Sequence, residues 1–159
     1  MSTNDHVRWL SKPSLKNPTF IAAFTGWNDA ADAASNAVNN LVEGWGATPL
    51  ATIDPEPFTD YSKDRPHVKL EGSRKRRIIW PTVGLWHVNG AGGDIILALG
   101  PEPSLKWKLF SRQILSIAEH FDASSYRSIR FITVASGAGV PIISHARRIR
   151  ANDAFGEGT

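Results

Sequence analysis

Two short apolar runs limit what this chain can fold into. Pro18 to Phe24 breaks at Thr25-Gly26, and Asp94 to Leu99 breaks at Gly100-Pro101. Runs this short, apolar at consecutive positions, read as strands buried on both faces, as in parallel sheets. Each opens into a helix. Ala30, Ala33, Ala34, Ala37, Val38, Leu41, Val42 and Trp45 recur at helical spacing, with Asn28 or Asp29 placed to cap and Gly44 and Gly46 to stop. Trp107, Phe110, Ile114, Ile117, Ala118 and Phe121 mark the core face of a second helix, capped by Ser104. Strand–helix–strand therefore occurs twice, which predicts an α/β fold with a mainly parallel sheet covered on both faces.

Between the two units, Thr48 to Ile53 reads as a strand and Glu56 to Pro66 as a loop. Val68 to Glu71 and Arg76 to Trp80, joined at Gly72-Ser73, read as an inserted β-hairpin. Leu85 to Val88 allows a strand, and Asn89 to Gly93 is a turn. Ser128 to Ala135 is a further strand. Residues 1–17 form a polar segment, 18–135 the α/β domain, and 136–159 a tail whose apolar residues follow neither period.

Several chemistries fall away. There is no cysteine among the 159 residues, so disulfides, thiolate metal sites and cysteine nucleophiles are excluded. No HExxH spacing or EF-hand loop suggests a metal. Gly90 to Gly93 precedes a strand and matches no phosphate loop, and no nucleotide cofactor is expected. Ser136 and His145 lack a GxSxG frame. The start of the chain has no signal-peptide core and no apolar run is long enough to span a membrane, so a cytoplasmic protein is expected. Net charge is +3, with basic residues crowded at Arg74 to Arg77 and between Arg127 and Arg150. Nucleic acid is one reading of such charge. The plainer reading is a hairpin edge guarded by charge against aggregation. Six Trp in so short a chain should fill the core or a binding surface.

If the two runs are parallel neighbours, the loops after them share one sheet edge, where open α/β sheets bind ligands. Trp27, Asn28, Asp29, Glu102 and Trp107 would then surround one crevice. Asp29 and Glu102 are the candidate acid/base pair there. Both residues also have simple structural roles, as a helix cap and in a strand-ending Pro-Glu-Pro turn.

These residues resemble those of the proteasome-assembly-chaperone-2 (PAC2) family, especially its actinobacterial branch. The likeness lies in Phe20 to Ser35, Ala51 to Tyr61, Arg65-Pro66, Arg77 to Pro81 and Leu99 to Trp107. It weakens after Ser136, where His145 and Arg147 match a family His and Arg but Ser144 and Arg148 replace prolines. The resemblance implies a three-layer fold similar to nucleoside phosphorylases, and adds Arg65 and His145 to the crevice. It also implies self-association, protein partners and, in some relatives, roles in proteasome assembly. The family's docking tail, a hydrophobic residue and Tyr before the last residue, does not match Glu157-Gly158-Thr159. Family members continue with further strands and helices, so an incomplete sheet is expected, with apolar surface near Ile129 to Val134. A binding scaffold is the expected function. The alternative is a phosphorylase- or carboxylate–amine-ligase-like enzyme using Asn28, Asp29 and Glu102.

Overall fold

The computed structural model describes residues 6–26, 29–72, 75–122, 130–133 and 147–148. The main sheet comprises β1 (Val7–Trp9), β2 (Thr19–Thr25), β3 (Thr48–Ile53), β6 (Val83–Val88), β7 (Ile95–Pro101), β8 (Arg130–Thr133) and β9 (Arg147–Arg148). Its spatial order is β1-β3-β6-β7-β2-β8-β9. A separate ribbon pairs β4 (His67–Glu71) with β5 (Lys75–Ile79). The helices are α1 (Ala33–Gly44) and α2 (Trp107–Asp122). Among the described residues, no helix is long and apolar enough to cross a membrane.

Strand alternation assigns the helices to their faces. Phe20 and Ala22 of β2, with Ile96 and Ala98 of β7, pack in one cluster with Phe110, Ile117, Ala118 and Phe121 of α2. Ala23 and Leu97, from the other face of the same strands, pack with Ala34 and Val38 of α1. The two middle strands are thus apolar on both sides because each side receives a helix. The small Ala34 and Ser35 are among the buried residues of α1, which lets its backbone approach the sheet.

The sheet is mixed, where a mainly parallel one was expected. Among the described strands, only β2–β7 and β2–β8 run parallel; β1–β3, β3–β6, β6–β7 and β8–β9 are antiparallel. The cause is the turn after β6. Residues 89–94 are too few for a crossover, so β6 and β7 form a hairpin. The reversed β6 then separates β3 from β7, which point the same way. A second difference lies in the polar segment at 1–17. Val7 and Trp9 pack against the α2-side cluster, and β1 pairs with β3 from Val7↔Ile53 to Trp9↔Ala51.

α2 starts at Trp107, and the hydroxyl of Ser104 donates to Asp64 Oδ2 at 2.7 Å. The chain enters the helix through Lys106 at φ +49, and Trp107 is 54% exposed, not on the core face.

Candidate functional site

β2 and β7 lie side by side from Thr19↔Ile95 to Thr25↔Pro101. Their following loops therefore leave the sheet at one edge. The Glu102 amide donates to Thr25 O at 2.9 Å, and the Asp29 amide to Gly26 O at 3.1 Å. Gly26 sits at φ +150, and a Cβ there would lie 2.5 Å from Glu102 Cδ. The Glu102 side chain occupies the space that the glycine leaves open. Of the residues expected around the crevice, the structure thus brings the Asp29 backbone and the Glu102 side chain each against Gly26. Trp27, Asn28 and His145 lie outside the described residues. Arg65 is exposed on the loop before β4, and Trp107 projects into solvent.

Asp29 caps α1 across a kink. Ala31 and Asp32 both have φ +54, a left-handed conformation that costs an ordinary residue roughly 1–2 kcal/mol. Beyond them, the Ala34 amide donates to Asp29 Oδ1 at 2.8 Å, and the Ser35 amide reaches both carboxylate oxygens at 3.4 and 3.3 Å. The carboxylate is buried, and it sits at the positive end of the helix. Asp29→Ala is expected to cost about 1–2 kcal/mol, and Asp29→Asn less, because an acceptor remains. Hydrogen exchange at the Ala34 and Ser35 amides checks this. Unchanged protection in the alanine variant would show that the bonds carry no stability.

The loop from Asp54 to Pro66 folds over the same edge. Phe58 O accepts the amides of Ser104 and Leu105 at 2.9 and 3.0 Å. The space bounded by Ile53, Phe58, Glu102 and Phe110 measures only about 10 Å³, room for about one water. A larger open cleft of about 380 Å³ lies at the end of β3, lined by residues including His6, Arg8, Thr52, Asp54 and Thr82. Sequence reasoning missed this cleft because one wall, from His6 to Arg8, comes from β1 and the residue before it. The alternation of Val7 and Trp9 was the available signal, too short to distinguish a strand from a loop.

The β4–β5 ribbon leaves from the same edge. It follows the loop after β3 and returns through Pro81 to the start of β6. The Trp80 ring meets Tyr61 edge-on, centroids 5.4 Å apart. Burial pushes the Tyr61 phenol above its ordinary range, and the carboxylates of Glu56 and Asp54 push the same way. Large apolar side chains are exposed on the ribbon, the adjacent loops and the first residue of α2, among them Trp80, Leu105 and Trp107. None of the five described Trp is fully buried.

Comparison with known proteins follows the same residues. The model of the PAC2 family matches residues 23–150. A solved PAC2 family protein from Streptomyces avermitilis is 36% identical, with a TM-score of 0.63 over 74% of this chain and 49% of that one. A proteasome-assembly chaperone homologue from Mycobacterium tuberculosis is 35% identical, with a TM-score of 0.60 over 65% of this chain and 45% of that one. A Mycobacterium tuberculosis protein of unknown function shares the fold at 22% identity, with a TM-score of 0.65 over 80% of this chain and 44% of that one. The chain spans less than half the length of each of these relatives. No curated protein matches it.

Proposed function

Because the chain belongs to the PAC2 family, we propose that it is a cytoplasmic protein-binding scaffold that self-associates and takes part in assembly of the proteasome type. The observation that carries this reading is the apolar surface gathered at one sheet edge. Trp80, Leu105 and Trp107 are 50%, 46% and 54% exposed. Large side chains so exposed, on segments that meet the sheet at the same edge, support a contact surface rather than scattered exposure. Aromatic residues are also favoured as anchors in protein interfaces. The likeness to a proteasome-assembly chaperone homologue supports the kind of partner. Two apolar clusters on opposite sides of the sheet support a three-layer, phosphorylase-like arrangement.

The crevice residues fit this reading as parts of the contact edge. Asp29 shapes the start of α1, Glu102 fills the space at Gly26, and Arg65 and Trp107 face outward. Light scattering tests self-association. The chain is expected to run above its monomer mass, and Leu105→Ser with Trp107→Ser to shift it toward monomer. A monomer at every concentration would overturn self-association, and an oligomer unchanged by the double variant would remove these residues from its interface.

A further inference from the structure

The β4–β5 ribbon has two unlike faces. Val68 pairs with Ile78 and Leu70 with Arg76, and alternation puts these four on one face. His67, Lys69, Glu71, Lys75, Arg77 and Ile79 share the other. Val68, Leu70 and Ile78 are 63%, 66% and 54% exposed. Three neighbouring aliphatic side chains in water on a two-stranded sheet are unfavourable, because such a ribbon is marginal without a covered face. The charge is one-sided as well. Glu71 lies 3.3 Å from Arg77. Among the described residues, no carboxylate stands within ion-pair distance of Lys69, Lys75 or Arg76. The apolar strip therefore carries one uncompensated cation on its own face, Arg76, while Lys69 and Lys75 stand on the opposite face.

We propose that this face docks an acidic, apolar segment of a partner protein. Aliphatic groups of the segment cover Val68, Leu70 and Ile78, while a carboxylate meets Arg76. The inference rests on the scaffold reading and adds the chemistry of the partner. A nucleic acid would satisfy the cations but leave the aliphatic strip in water. A second copy of the same face would cover the strip but offer Arg76 no carboxylate. An acidic, apolar segment satisfies both requirements.

Fluorescence anisotropy of labelled synthetic peptides tests the proposal on the whole chain. The probes are a peptide alternating Val and Glu, its Val and Lys counterpart, and a single-stranded oligonucleotide. The Val/Glu peptide is expected to bind, more weakly in high salt. Arg76→Glu and Ile78→Ser should each weaken it roughly tenfold. Both positions are exposed, so unchanged circular dichroism and melting should show that the variants fold. No binding, equal binding of the Val/Lys peptide, preference for the oligonucleotide, or indifference to both substitutions would each overturn the proposal. Light scattering on the same samples separates the two readings. An oligomer that ignores the peptide refutes the docking alone, and a monomer that binds it refutes self-association alone.

Discussion

Replacing Phe110 with alanine is expected to lower stability by about 3–5 kcal/mol, a large part of what a domain of this size has. Phe110 is buried near the start of α2. Its ring meets Phe24 at 5.5 Å and Phe58 at 5.4 Å, both edge-on. One side chain thus joins the helix to the end of β2 and to the loop after β3. The surrounding space is about 10 Å³, so little slack exists for neighbours to move into. Removing the ring opens a cavity and forfeits both aromatic contacts. Phe110→Leu refills much of the volume and should lose less than half as much. Urea denaturation followed by tryptophan fluorescence measures both. A loss below about 1 kcal/mol for the alanine variant would mean that this cluster does not anchor α2.

Asp94 produces the second large effect, and it depends on pH. Burial by itself pushes this carboxyl up. The Lys16 and Gly90 amides, the Asn89 side chain and the Lys16 charge outweigh that and hold it below its ordinary range. The Lys16 amide donates to Oδ2 at 2.6 Å and the Gly90 amide to Oδ1 at 3.1 Å. One carboxylate therefore fastens the segment before β2 to the turn between β6 and β7. Asp94→Ala leaves those donors without their acceptor and should cost about 2–4 kcal/mol near neutral pH. Because the folded pKa is depressed, this contribution is present above the unfolded carboxylate value of about 4 and is lost as pH falls through the folded value. The wild-type chain should thus lose stability on acidification more steeply than Asp94→Asn. Urea melts between about pH 7 and pH 3 give the comparison, and parallel curves would show that Asp94 is not the linked group.

Much of the fold can be read from local pattern. β3 occupies Thr48–Ile53, as its apolar run and Asp54-Pro55 stop indicate. The ribbon turns at Gly72, which has φ +69. The meeting of the loops after β2 and β7 follows from two apolar runs that could only be central strands. The rest depended on contacts that local pattern does not carry. β1 has too few residues to show a period, and becomes a strand through β3. The direction of β6 is set by the short turn after it, not by its own residues. Asp29 was legible as a cap, but the left-handed pair Ala31-Asp32 was not, since alanine rarely adopts that conformation and Asp32 alone gives no sign of it. Trp107 has the spacing of a core residue, yet its helix begins there and its ring faces solvent.

The ribbon's attachment has a consequence for how such a protein can change. His67 and Ile79, at its two ends, are register partners, so the chain departs and returns about 5 Å apart. A tight turn could bridge that gap. The ribbon is therefore insulated from the folding unit: its side chains can be altered, lengthened or exchanged during evolution while the central sheet stays the same.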